Sequence, residues 1–72
     1  MKPTYEIIQI AGTGVNLIID AAEKPTHEII QIIGSIGLKN SHITIKNANS
    51  KPTHELIQIA GVYSKNITLD LT

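Results

Sequence analysis

The chain has 72 residues, which favours a single small domain, and its apolar fraction of 42% is ordinary for a globular protein. Six Lys, with no Arg, balance six acidic residues, so the chain lacks the clustered positive charge that contacts a nucleic-acid backbone. The absence of Cys excludes disulfides and thiolate metal sites, and no apolar run approaches the roughly 18 residues of a membrane span, so we expect a soluble, cytoplasmic protein.

The first predicted element is a short helix within residues 2–12, KPTYEIIQIAG. Its apolar residues fall at i, i+1, i+3 and i+4, which is typical of one face of a helix. Pro3 suits the first turn and Thr4 can cap it, while Gly12 is predicted to follow the helix at C′ with a positive φ. Because Ile is β-branched, a strand over EIIQI is the alternative interpretation.

A strand is predicted next, over residues 15–20, because its side chains alternate between two faces. Val15, Leu17 and Ile19 are expected to face the core. The side chains expected to face away from it are Asn16, Ile18 and Asp20.

The helical block returns twice, as KPTHEIIQIIG in residues 24–34 and as KPTHELIQIAG in residues 51–61. Any two of the three blocks agree at nine of eleven positions, so one module has been repeated. Each copy carries Glu in its first turn and closes on a glycine, Gly34 or Gly61, which is again predicted to take a positive φ. Ile30, in the middle block, is predicted to be a core residue.

Two further strands are predicted after the second and third blocks. Their inward residues are Ile43 and Ile45, then Ile67, Leu69 and Leu71; their outward residues are His42, Thr44 and Lys46, then Thr68, Asp70 and Thr72. A spacing of 26 residues separates Leu17 from Ile43 and Ile43 from Leu69, so we predict that these three residues stack in register.

These elements predict an α/β repeat: a single domain, 1–72, of three helix-strand units (about 2–21, 24–48 and 51–72), with a small three-stranded parallel sheet and the helices on one face. Either an open solenoid or a compact pair of layers satisfies this order. The segment LKNSHITIKN, residues 38–47, resembles the leucine-rich-repeat motif, because an apolar-x-apolar strand is followed two residues on by Asn. The resemblance implies a solenoid architecture and carries no functional residues.

Two glycine-containing segments look like ligand-binding loops. Residues 33–37, IGSIG, match the GxxG loop of the KH RNA-binding module, but only four residues separate Gly37 from the next strand, too few for the second helix of that module. Residues 12–14, GTG, begin a dinucleotide fingerprint whose third glycine is replaced by Leu17. A helix end followed by a turn is the favoured interpretation of both.

Neither a metal site nor a catalytic site is predicted. His27 and His54 occupy one block position on neighbouring helices, and packed helices lie roughly 8–10 Å apart, too far for two ligands of one zinc ion. The three block Glu residues are better explained as helix-start charges, and no nucleophile has an activating partner. We therefore expect no enzymatic activity and no cofactor.

The function predicted is a module for protein interaction or self-assembly, because the helical block is nearly fixed while the outward strand residues vary between units. The candidate binding residues on the sheet face are Asn16, Ile18, Asp20, His42, Thr44, Lys46, Thr68 and Asp70. The strand edge of Ile67, Leu69 and Leu71 is predicted to form a closed, antiparallel homodimer rather than an open end-to-end stack of the first unit on the third. A purely structural repeat without a ligand, natural or designed, is the alternative, and RNA binding through the GxxG loop is a weaker one.

Overall fold

The computed structural model describes residues 1–36 and 40–72. Helices and strands alternate in the order α1 (Thr4–Ala11), β1 (Leu17–Asp20), α2 (Thr26–Gly34), β2 (Ile43–Lys46), α3 (Thr53–Val62) and β3 (Ile67–Leu69). Short 3₁₀ turns occupy Ala21–Glu23, Ala48–Ser50 and Ser64–Asn66. The predicted fold class is confirmed: three helix-strand units form one parallel sheet, with the helices on one face. None of the described helices is long and apolar enough to cross a membrane.

The helix starts are set by proline rather than by a threonine cap. Pro3, Pro25 and Pro52 each stand at the N-cap, and their carbonyls accept the amides three and four residues later at 3.0–3.2 Å. No side chain caps the N-terminus of any of the three helices, so the predicted capping role of Thr is wrong. The Thr residue is instead the first helical residue, and in α1 and α2 its hydroxyl bonds to the next helix.

The block glycines do not take the predicted positive φ. Gly12 has a φ of −64°, and Gly34 and Gly61 lie within α2 and α3. Among the described residues, positive φ occurs at Gly14 (91°) and at Asn47 (57°), in the turns next to the strands. The left-handed backbone conformation is therefore used at Gly14 and Asn47 and not at the block glycines, which keep right-handed geometry.

The sheet has the order β1-β2-β3, and both strand pairs are parallel. The predicted pairing of Leu17 with Ile43 is confirmed, but Ile43 pairs with Ile67 rather than with Leu69. The spacing between paired residues falls from 26 to 24 because the connection from α3 to β3 is shorter than that from α2 to β2. A shift of two residues leaves every side chain on its original face, so alternation alone could not detect it.

The core lies between the sheet and the helices and is almost entirely aliphatic. Its fully or nearly fully buried residues are Ile7, Ala11, Ile19, Ala21, Ile29, Ile32, Ile33, Ile36, Ile43, Ile45, Ala48 and Ile59. The assignment of Ile30 to this core is wrong: Ile30 packs partly buried at its edge, because the helix turns about 100° per residue and its neighbour Ile29 takes the inward position. Ser41 is the one polar residue in the described chain that is fully buried, and its hydroxyl has no hydrogen-bond partner there.

Candidate interaction surface on the sheet

The outer face of the sheet, on the side away from the helices, carries the residues predicted from strand alternation. Ile18 is 70% exposed at the first strand, and it lies level with Thr44 and Thr68 through the strand register. Asn16, Lys46 and Thr68 are exposed as well, whereas Asp20, His42, Thr44 and Asp70 are partly buried. The structure therefore brings seven polar side chains and one isoleucine to this side of the sheet.

A line of polar contacts crosses the three units near the beginnings of the strands. The His42 amide donates to Asn16 Oδ1 at 2.8 Å, and His42 Nε2 lies 2.6 Å from Thr68 Oγ1. The Asn66 side-chain amide adds a further contact between the second and third units by donating to the Ser41 carbonyl at 3.0 Å. These contacts hold the imidazole of His42 across the sheet surface, where it forms one wall of the neighbouring depression.

The depression is shallow, about 380 Å³, and is lined by Asn16, Leu17, Ile18, His42 and Thr44. Ile18 supplies the exposed apolar side chain of this depression, and the amide, imidazole and hydroxyl groups of the lining residues surround it, while the Leu17 side chain packs against the core. An exposed apolar centre surrounded by polar groups is the arrangement found in the middle of protein interfaces.

Asp20 and Asp70 use their carboxylates in local structure rather than on the open face. The Asn47 side-chain amide donates to Asp20 at 2.9 Å, as does the Ala22 backbone amide, and these two hydrogen bonds lower the pKa of Asp20. Thr72 donates to Asp70 from its hydroxyl and its amide, which likewise lowers the pKa of Asp70. Both predicted binding residues therefore hold the ends of strands in place.

The three residues of the predicted self-association edge differ in their burial. Ile67 and Leu69 are partly buried against the core, whereas Leu71 lies beyond β3 and is 53% exposed. The Asp70 amide donates to the Ile45 carbonyl at 2.9 Å, and the Asp70 carbonyl accepts the Ala48 amide at 3.2 Å. The chain thus runs beside β2 and the turn after it as far as Leu71, whose carbonyl accepts a hydrogen bond from the Asn49 side-chain amide. The Leu71 side chain is the exposed member of this set.

A second surface, on the helix side, was not predicted from the sequence. Two equivalent grooves of about 530 and 490 Å³ run between α1 and α2 and between α2 and α3. Each groove is lined by one Ile of the first helix and by the Lys, Glu and Gln of the block that forms the second helix. These residues are Ile8, Lys24, Glu28 and Gln31 in the first groove and Ile30, Lys51, Glu55 and Gln58 in the second. The sequence did contain a signal, because Thr and Glu are invariant in all three blocks and form the hydrogen bond that crosses each groove.

The residues considered for metal and phosphate chemistry are dispersed. Across residues 1–36 and 40–72, no three His, Asp or Glu side chains lie close enough together to hold a metal ion. His27 and His54 each approach the Glu that follows them on the same helix, at 3.8 Å. In the GxxG segment, Ser35 caps the end of α2 by donating to the Ile32 carbonyl at 2.6 Å, while Gly37 lies outside the described residues. Gly12–Gly14 is a turn that leads into β1.

No protein-family model, no curated protein and no solved structure matches this chain. The resemblance of residues 38–47 to the leucine-rich-repeat motif therefore stays a prediction from the sequence.

Proposed function

We propose that the chain is a non-enzymatic repeat module for protein interaction or self-assembly, and that its outer sheet face binds a protein or peptide partner. The observation that carries this proposal is the depression next to Ile18, which is 70% exposed on the face that the helices leave open. A partner side chain that covers Ile18 removes its exposed apolar surface from water, and the part of this gain that exceeds the cost of association contributes to binding.

The polar rim supplies the selectivity of this surface. Asn16, His42 and Thr44 offer an amide, an imidazole and a hydroxyl within one depression, and the exposed Lys46 adds a positive charge on the same face. A partner segment with an apolar side chain flanked by hydrogen-bonding groups and an acidic residue fits this arrangement. We propose no catalytic role for these groups: the His42 ring contacts the Thr68 hydroxyl, and the carboxylates of Asp20 and Asp70 accept hydrogen bonds from local donors.

The free edge of β3 supports a homodimer as a second mode of the same function. Two such edges related by a two-fold axis run antiparallel and pair their unsatisfied backbone groups in one closed contact. Leu71, at 53% exposure, would be covered in that contact. Leu71→Lys is expected to return such a dimer to the monomer mass, whereas a substitution at Leu69 would also disturb the core.

Site-specific photo-crosslinking in cells that express the chain tests the sheet-face proposal. A benzophenone side chain is placed at position 18 and, as the control, at Gln31, which is exposed on the helix side. Adducts at position 18 that are missing from position 31, and that disappear in the His42→Ala, Lys46→Ala background, support the proposal. If position 18 yields no adduct beyond the control, the alternative stands, namely a purely structural repeat, which the near-identity of the three blocks also favours.

A further inference from the structure

The contact between neighbouring helices is built twice from the same block positions. The Thr4 hydroxyl donates to the Glu28 carboxylate, and the Thr26 hydroxyl donates to the Glu55 carboxylate. Ile8 of α1 and Ile30 of α2 occupy the same block position, and each lies partly buried in its groove beside the Glu and the Gln of the following helix. Every internal helix contact thus joins a donor side, formed by Thr and Ile, to an acceptor side that includes Glu.

The donor side of α3 is open in the structure. Thr53 is exposed, whereas its counterparts in α1 and α2 are partly buried. Ile57 is 67% exposed, whereas its counterparts are partly buried at the groove. Ala60 is only partly buried, and the residues at its position in the other two helices are fully buried. This helix therefore displays the surface that α1 and α2 use to contact the next helix.

The acceptor side of α1 is open in the same way. Glu6 occupies the position of the two Glu residues that accept a threonine hydroxyl, but its neighbour is Lys2, in an ion pair at 3.7 Å. Ile10 is partly exposed, whereas Ile32 and Ile59, at its position in α2 and α3, are fully buried. The open face of α1 is therefore the complement of the open face of α3.

From these two faces we infer that copies of this chain stack end to end, with α3 of one copy packed against α1 of the next as α2 packs against α3. The Thr53 hydroxyl donates to Glu6 of the next copy, and Ile57 enters a groove lined by Lys2, Tyr5 and Gln9. This inference rests on the self-assembly part of the proposed function and names its partner, a second copy of the chain.

The sheet and the charge balance are compatible with this stacking. The free edges of β3 and β1 meet as parallel strands, which is the pairing found at both internal strand contacts. The net charge of zero means that no overall repulsion opposes the approach of identical chains. Because the two faces differ, the contact is heterologous, and each added copy leaves one face of each kind open for growth.

The antiparallel dimer through β3 makes a different prediction. It uses one edge only, leaves Ile57 and Ile10 uncovered and stops at two chains. Sedimentation velocity from about 10 µM to about 1 mM, the range in which a weak protein interface dissociates, separates the two modes. Stacking predicts a mean mass that rises past the dimer with concentration.

The decisive experiment mixes two variants that block opposite faces. Ile57→Lys blocks the donor side and Glu6→Lys blocks the acceptor side, and each variant alone is expected to weaken self-association at least about tenfold. An equimolar mixture is expected to recover one dimer and to grow no further, because each variant retains the face that the other lacks. Gln31→Lys, at an exposed position of the internal helix α2, and Glu23→Lys make the same two charge changes away from both open faces, and these controls should stack as the wild type does.

Three results would overturn the stacking inference. They are a wild-type mass that stays at the monomer or stops at the dimer, an Ile57→Lys variant that associates like the wild type, and a mixture of folded variants that forms no dimer. Far-UV circular dichroism of each variant ensures that a lost contact is not a lost fold. An adduct at position 18 with a protein other than this chain is independent of all three results, so the sheet-face proposal and the stacking inference can fail separately.

Discussion

Truncation of three isoleucines to alanine tests how burial is distributed over the repeated block. Ile29 is fully buried, Ile30 is partly buried at the edge of the core, and Ile57 is 67% exposed. Removing a fully buried Ile side chain costs about 2–5 kcal/mol, through lost transfer free energy and the cavity that remains. For Ile30 we expect about 1–2 kcal/mol, because its site opens to the groove and leaves no closed cavity. For Ile57 we expect a change within about 0.5 kcal/mol.

Equilibrium unfolding in urea, with the chain dilute enough to be monomeric, measures the three changes. A domain of this length has a free energy of unfolding of about 4–11 kcal/mol, so Ile29→Ala removes a large share of it. If that variant does not fold, Ile29→Val, with an expected cost of about 0.5–1.5 kcal/mol, takes its place. Equal losses at positions 29 and 30, measured with unchanged urea dependence, would refute the assignment of the inward face of α2.

Four further predictions concern single hydrogen bonds and backbone positions. Thr26→Val removes the bond to Glu55 and is expected to cost about 1 kcal/mol, whereas Thr53→Val, at the open face of α3, should cost less than about 0.5 kcal/mol. Ser41→Ala is expected to leave stability unchanged or to raise it by about 1 kcal/mol, because the buried hydroxyl has no partner among the described residues. Gly61→Ala is expected to add about 0.5–1 kcal/mol, because a Cβ there meets no atom within 4 Å and alanine favours the helix. The lowered pKa of Asp20 predicts a stabilisation that is complete above the ordinary aspartate pKa and is lost as the pH falls through the lowered value, and Asp20→Asn should remove it.

Urea midpoints across variants and across pH check all four. A Thr53→Val loss as large as that of Thr26→Val would show that the inter-helix bond contributes nothing. A loss above about 1 kcal/mol for Ser41→Ala would mean that the hydroxyl is bonded, and any loss for Gly61→Ala would place steric strain in α3. A wild type and an Asp20→Asn variant with the same acid dependence would contradict the role assigned to that carboxylate.

The alternation of helix and strand could be predicted because each element carries its own period. The residues that repeat at helical spacing in the blocks and at alternate positions in the strands include most of the buried core. Val15 and Leu71, which were predicted to face inward, lie outside the observed strands and are 46% and 53% exposed. The pairing of Leu17 with Ile43 followed from spacing alone. The pairing of Ile43 with Ile67 could not be predicted from spacing, because the length of the connection decides between registers that differ by two residues. Both registers have the same alternation of faces, so periodicity does not distinguish them.

The outer sheet face was also predictable, whereas the use of its individual groups was not. Strand alternation places Asn16, Ile18 and Thr44 correctly, because every second residue shares a face. The hydrogen bond from Asn47 to Asp20 joins residues of different units. It depends on the left-handed conformation of Asn47, which the sequence around that residue does not predict. The hydrogen bond from Thr to Glu between helices could not be predicted for a related reason. Both residue types occur in every block, but the distance between them depends on how the units pack.

The one-residue difference between the two strand-to-helix joints shows what a duplication of this module can tolerate. Ala21 and Ala48 hold equivalent buried places, and Lys51 reaches back to the Lys24 carbonyl at 2.8 Å, although the second joint is longer by Asn47. Asn47 takes up the extra length in a left-handed conformation, which Asn, Asp and Gly adopt most readily. One extra residue at this joint is therefore compatible with the same packing when that residue can adopt a left-handed conformation, and neighbouring copies of the module fit together although their lengths differ.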